Sequence, residues 1–156
     1  MSAARLISNS VAPPMTVREV RRRGAAVLRA HPQLTVQGWP DKRMPDAGRE
    51  FDYEQVRAAV LFLLALGRPR RTFNKNAYSY RLKHNAENWA GENGLPDHIL
   101  NGAFILAALI CGYRHDNSAH INCVFDMVVS PEMRRYDWHV YKRNPGSPTD
   151  ANQVTE

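Results

Sequence analysis

Hydrophobic positions early in the chain recur with a helical period. One face of the segment 17–30 carries small or apolar residues, and the opposite face carries arginines. The apolar face consists of Val17, Val20, Gly24, Val27 and Leu28. Thr16 and Glu19 have the spacing of a capping box, which satisfies backbone N–H groups at a helix start. The pattern therefore predicts a capped amphipathic helix over 17–30.

Two later segments are apolar on every side, which is typical of helices in the middle of a core. The first is predicted over 53–66, where Asp52 and Gln55 form a second capping pattern and Gly67 follows the last helical residue. The second is predicted over 96–111, with a proline at its start and Gly112 after its end. We expect these two helices to pack against each other.

A fourth helix is predicted over 74–90. At 100 degrees per residue, four apolar side chains fall on one stripe of this helix: Tyr78, Leu82, Ala86 and Trp89. Aromatic residues at helical spacing usually serve packing, so we expect this stripe to be buried. The opposite face, with Tyr80, Lys83 and His84, should then be exposed.

After Gly112 the hydrophobic period changes to two, which is typical of strands. Alternation through Cys123, Phe125 and Met127 predicts a strand over 119–129, and a second run predicts one over 136–142. Residues 33–37 permit a third, short strand. Ser130 and Pro131 also suit the start of a short helical turn. We therefore predict an α+β fold with four main helices and a small antiparallel sheet from the C-terminal third.

Length and composition suit one folded unit over 16–144, since 156 residues with 44% hydrophobic content can bury an ordinary core. Residues 1–15 and 145–156 read as disordered tails. The longest apolar runs have nine residues, about half of a bilayer span. With two cysteines and no export signal, we expect a cytoplasmic protein without a membrane partner.

Positive charge is concentrated in one segment. From Arg68 to His84 there are six Lys or Arg residues and no acid, against a net charge of +6 for the whole chain. A basic surface of this kind favours an anionic partner such as nucleic acid or an acidic protein. An arginine-rich composition without any partner would give the same net charge, so charge alone does not decide the matter.

The candidate binding residues are basic or aromatic and come from two segments. They are Arg68, Arg70, Arg71, Tyr80, Arg81 and Lys83, with Arg18, Arg22 and Arg29 on the first helix. Guanidinium groups make bidentate contacts with phosphate, and a helix starting after Arg71 would add backbone donors. An alternative is that Arg68, Arg70 and Arg71 cap the carbonyl end of the preceding helix.

Metal binding and catalysis have weaker support. Cys111, His115, His120 and Cys123 lie within 13 residues and could in principle hold zinc, but both cysteines also fit the role of small buried residues. Phosphate-binding loops and hydrolase motifs are absent from the sequence. His84 and Glu87 are spaced for an acid–base pair, although such pairs occur often by chance. We expect no cofactor.

Two classes of function remain open at this point. The first is a non-enzymatic protein that binds nucleic acid mainly through phosphates. The second is a small adaptor or inhibitor that docks on an acidic protein surface and makes no nucleic-acid contact of its own. Exposed Tyr80 among arginines suits either class.

Overall fold

The amphipathic helix predicted over 17–30 and the apolar helix predicted over 53–66 are both present with these bounds. The computed structural model describes residues 15–40, 48–116 and 121–143, so both predicted tails lie almost wholly outside the described residues. Helix α1 spans Val17–Ala30, and its capping Thr16 Oγ1 accepts a hydrogen bond from the Glu19 N–H at 3.1 Å. Helix α2 spans Tyr53–Leu66, with Asp52 as its capping residue.

The basic segment folds differently from the prediction. Residues Arg68–Tyr78 form strand β1, and helix α3 spans Ser79–Glu92, so the helix predicted over 74–90 begins five residues late. The reason is pairing with a distant strand: the Asn74 amide donates to the Met127 carbonyl at 3.0 Å, and the Ser79 N–H donates to the Cys123 carbonyl at 2.8 Å. These contacts hold 74–78 extended against its local helical period.

Helix α4 spans Asn101–Ile110 and lies in the centre of the core, with its first eight residues buried. It packs most extensively on α2, as predicted, and also on α1 and α3. The predicted start at 96 is wrong. Two side chains accept the backbone N–H groups just before the helix: Glu87 from Ile99 and Gln55 from Leu100. These bonds stabilise 96–100 in a non-helical conformation.

A small antiparallel sheet completes the α+β fold. Strands β2 (His115–Asp116) and β3 (Val124–Val128) join β1 in the order β1–β3–β2, so β3 is central. The predicted strand over 119–129 is therefore present in part, at 124–128. Residues 33–37 contribute only an isolated bridge between Thr35 and Gly38.

The strand predicted over 136–142 is wrong, because this segment is helical. Helix α5 spans Pro131–Arg134 and is capped by Ser130, whose hydroxyl accepts from the Met133 N–H at 3.2 Å, so the alternative of a short helical turn is confirmed. Helix α6 spans Trp138–Arg143. The alternation through Tyr136, Trp138 and Val140 does not mark one buried side of a strand, because Tyr136 is buried while Trp138 and Val140 are exposed.

Candidate functional site

Strand β1 presents all four of its basic residues to solvent. Arg68, Arg70, Arg71 and Lys75 are exposed, and so are the intervening Thr72 and Phe73. Among the described residues, none of these four cations has an acidic partner within salt-bridge distance. Cations without an acidic partner remain available to an external anion. The exposed strand carrying Arg68, Arg70, Arg71 and Lys75 is called the basic strand below.

The predicted alternative for these arginines was capping of the preceding helix. Within the described part of the chain, the only side-chain hydrogen bond from Arg68, Arg70 or Arg71 runs from Arg70 Nη2 to the Thr72 hydroxyl at 2.9 Å. No bond reaches the last carbonyls of α2, where the N–H of Gly67 already occupies the Leu63 carbonyl at 2.8 Å. A phosphate site at a helix start after Arg71 is also wrong, since the chain is a strand there.

The basic strand bulges where its arginines lie. Between the pairs Pro69–Met127 and Asn74–Phe125, residues 70–73 of β1 oppose only Asp126 of β3. Arg114 braces this bulge, because its guanidinium donates to the Arg71 carbonyl at 2.8 Å and to the Asp126 carboxylate at 2.9 Å. The same guanidinium lies 5.4 Å from the centre of the Phe73 ring. Bulges of this kind reorient side chains, and this one is held in a defined conformation.

Beyond the bulge, the basic strand ends at a pocket of about 630 Å³. Three of its aromatic side chains are unusually exposed: Tyr78 at 40%, Tyr80 at 50% and Trp138 at 58%. They come from the end of β1, the start of α3 and the start of α6. The full lining is Asn76, Tyr78, Tyr80, Arg81, His84, Asn85, Asp137, Trp138 and His139. We call this the aromatic pocket.

An ion pair in the lining of the aromatic pocket joins α3 to Asp137, the residue before α6. Arg81 donates from Nε to Asp137 Oδ1 at 3.0 Å and from Nη2 to Asp137 Oδ2 at 2.8 Å. The Asn85 amide also donates to Asp137 Oδ1 at 3.0 Å. Burial raises the pKa of Asp137, but these hydrogen bonds outweigh it and hold that pKa below its usual value. Arg81, predicted as a binding residue, is therefore largely engaged within the protein.

Lys83 does not lie on an exposed face as predicted. It is buried and pairs with Glu87 Oε1 at 3.3 Å, and the same oxygen lies 2.9 Å from His84 Nδ1. Because Glu87 also accepts the Ile99 N–H at 2.9 Å, this cluster fixes α3 against the segment before α4. The predicted His84–Glu87 pair is formed, but the carboxylate of Glu87 is already saturated with internal partners.

The stripe predicted to be buried on the helix over 74–90, which corresponds to α3, is correct only in part. Leu82 and Ala86 are buried, and Trp89 is half-buried against the core beside Phe62. Tyr78 is exposed, contrary to the prediction, because it precedes the helix start and follows the geometry of β1. Consequently two tyrosines, not one, line the aromatic pocket.

The arginines of α1 form a second basic surface. Arg18, Arg22 and Arg29 are exposed as predicted, but Arg22 pairs with Glu19 at 2.7 Å. Hydrogen bonds from Arg22 and Arg23 lower the pKa of Glu19 to about 2, so this carboxylate stays charged and offsets part of the positive field. The C-terminal part of α1 and Phe73 of the basic strand line a common shallow groove of about 700 Å³, which also includes Arg114.

The four residues considered for zinc do not assemble among the described residues. Burial raises the pKa of Cys111 and of Cys123 to about 12, which disfavours the thiolate that binds metal. His115 instead stacks on Trp39 at 4.6 Å between ring centres, and burial lowers its pKa. His120 lies outside the described residues. Within the described ranges, no group of three His, Cys, Asp or Glu side chains is placed to hold a metal.

The sequence did not identify every residue of the aromatic pocket. The sequence pattern predicts that Trp138 and His139 lie in a strand, and it indicates no role for Asn85. The helical turn signal at Ser130 and Pro131 was the only clue that the segment after it is not extended. For so short a helix as α6, no hydrophobic period indicates which side chains face outward.

No helix among the described residues is long and apolar enough to cross a membrane. The chain matches no protein-family model, no curated protein and no solved structure. Function is therefore inferred from the basic strand and the aromatic pocket.

Proposed function

We propose that the protein is a non-enzymatic, cytoplasmic nucleic-acid-binding protein that holds its ligand mainly by phosphate contacts along the basic strand. The single observation that carries this proposal is a row of exposed cations on β1 that have no acidic group within salt-bridge distance in the described part of the chain. Nucleic acids carry regularly spaced phosphates, and guanidinium groups match phosphate oxygens in bidentate fashion.

The arrangement of charge along β1 supports this function. The four cations lie within eight residues of one exposed strand, so a polyanion that follows this strand can contact several of them. The brace from Arg114 fixes the backbone at Arg71, which lowers the conformational entropy that binding must remove. Arg18, Arg22 and Arg29 of α1 are secondary contacts, because Glu19 neutralises part of their charge.

A second candidate is docking on an acidic protein surface. It is favoured by the exposed aromatic side chains of Tyr78, Tyr80 and Trp138 beside basic residues, since protein interfaces are enriched in aromatic residues and arginine. In this alternative the basic strand would contact carboxylates instead of phosphates, and the protein would have no affinity for nucleic acid.

The test measures binding to fluorescently labelled DNA and RNA by fluorescence anisotropy at low salt. We compare the natural protein with the triple variant Arg70→Ala, Arg71→Ala, Lys75→Ala. These side chains are exposed, so the variant should fold normally. We expect binding by the natural protein and a loss of about tenfold or more in the variant, because several phosphate contacts disappear.

A charge-matched control separates the basic strand from net charge alone. It removes three exposed arginines to which the proposal gives no contact with the ligand, namely Arg21, Arg134 and Arg135. We expect this control to lose less affinity than the β1 variant. Equal losses would mean that only net charge matters, and no binding of any nucleic acid at low salt would exclude the proposal and favour the acidic protein partner.

A further inference from the structure

We propose that the aromatic pocket takes an unpaired base, so that the protein selects single-stranded over duplex nucleic acid. This inference rests on the proposed function, because it assigns the base-binding part of the site whose phosphate-binding part is the basic strand. The two parts are continuous along the chain: Lys75 belongs to the basic strand, and the next residue, Asn76, lines the pocket.

The pocket has the size and surface that a base requires. Its volume of about 630 Å³ lies within the range of about 300–1,000 Å³ that is usual for small-molecule sites. Tyr78, Tyr80 and Trp138 present ring surface there in spite of their size and hydrophobicity. Exposed aromatic rings beside a positive groove are the common device of proteins that bind single strands, because every base has a stacking face.

The lining also contains a buried acceptor without a donor. Asn85 is 1% exposed, and its amide nitrogen donates to both the Met133 carbonyl and Asp137, which fixes the orientation of the amide group. Its Oδ1 accepts no hydrogen bond from the described residues. A buried oxygen of this kind costs about 1–3 kcal/mol when unpaired and is stabilised by a donor that reaches it. Nucleobases supply such donors on their Watson–Crick edges.

Charge in the pocket favours nucleic acid over an acidic peptide. Among the described residues that line the pocket, Asp137 alone carries a carboxylate, and Arg81 pairs with it at 2.8 Å. A base is uncharged, so it can enter this neutral aromatic space while its phosphates stay on the basic strand. The side chains of an acidic peptide would place charge against the rings. A stacked base inside a duplex cannot reach the pocket without unpairing.

The experiment compares an oligothymidylate of about 20 nucleotides, longer than the site of a typical single-strand-binding fold, with a duplex of the same length. The variant is Tyr80→Ala combined with Trp138→Ala, two side chains that are at least half exposed. We expect it to bind the single strand about tenfold more weakly than the natural protein and the duplex less than about twofold more weakly. Circular dichroism confirms that the variant is folded.

Tryptophan fluorescence gives a second measurement that does not depend on affinity loss. Stacking of a base should quench Trp138, whereas Trp39 is only 2% exposed and Trp89 is half-buried. We expect oligothymidylate to quench the natural protein, and the conservative variant Trp138→Phe to bind with similar affinity but without this quenching.

The outcomes separate the two proposals. If the natural protein binds duplex and single strand equally and the pocket variant behaves like it, the base pocket is wrong and phosphate binding by the basic strand stands. If the natural protein binds neither, both proposals fail. If an acidic peptide quenches Trp138 and oligothymidylate does not, the pocket serves a protein partner and this inference is overturned.

Discussion

The Arg81–Asp137 ion pair should hold α6, and with it one wall of the aromatic pocket, to the body of the protein. The perturbation that tests this is Asp137→Ala, because the Asp137 carboxylate is 8% exposed and accepts three hydrogen bonds. Its removal leaves the Arg81 guanidinium and one Asn85 donor position without their partner.

The expected loss of stability depends on the hydrogen bonds that Arg81 and Asn85 keep in the variant. Removing one member of a buried ion pair typically costs about 3–5 kcal/mol, because the other charge stays buried. Here Arg81 is 23% exposed and keeps its bond to the Asn76 carbonyl at 3.2 Å, while Asn85 keeps the Met133 carbonyl. These residual contacts reduce the penalty, so we expect the free energy of unfolding to fall by about 3 kcal/mol, at the lower end of that range.

Urea unfolding, followed by circular dichroism, measures this difference. Val140→Ala, on the same short helix and 39% exposed, is the matched control and should change the free energy of unfolding by less than about 0.5 kcal/mol. A double-mutant cycle with Arg81→Met should give a coupling energy of about 1–3 kcal/mol, because the two side chains are in direct contact.

The pH dependence provides a further check with a defined sign. The pKa of Asp137 is lowered in the folded state, so its contribution is present above the ordinary pKa of about 3.9 and is lost as pH falls through the folded value. Asp137→Ala should therefore lose less stability on acidification than the natural protein. A cost below about 1 kcal/mol, or additive single variants, would refute the idea that this pair anchors α6.

Three further predictions follow from the core and the sheet. Gly102→Ala should lower the free energy of unfolding by at least about 2 kcal/mol in urea unfolding, because a Cβ there would overlap the Thr35 backbone oxygen; a neutral result would contradict the close approach of these segments. Both cysteines are buried with pKa values of about 12, so they should react with a thiol reagent at pH 8 only after unfolding; rapid native labelling would disprove their burial. Burial and the neighbouring His31 lower the pKa of His115, so the free energy of unfolding should fall as pH drops below about 6.5. His115→Gln should reduce this loss of stability, as measured by urea unfolding at several pH values. The same pH profile in the natural protein and the variant would contradict this prediction.

Local signals were sufficient to predict α1 and α2 with their bounds. Each helix has a capping side chain within the same few residues, and α2 ends at a glycine. The apolar character of α4 also predicted its central position correctly. Capping residues and apolar character are local properties of each helix segment, so they can be identified from a single sequence.

The basic strand could not be predicted in the same way, because its conformation depends on a distant partner. Asn74 pairs with Phe125 and Tyr78 with Val124, residues far along the chain. The local pattern at 74–78 is compatible with a helix, and only pairing with β3 excludes it. The aromatic pocket also depends on contacts between distant residues, since Trp138 directly follows Asp137, which pairs with Arg81 of α3.

The most direct test of phosphate binding by the basic strand is the salt dependence of affinity for a single-stranded oligonucleotide. Each neutralised phosphate contributes a slope of about −0.7 to a plot of log K against log salt, so contacts by all four cations of the basic strand predict a slope of about −3. The variant Arg70→Ala, Arg71→Ala, Lys75→Ala should reduce this slope to about −1. The same slope in the natural protein and the variant would contradict phosphate binding by the basic strand.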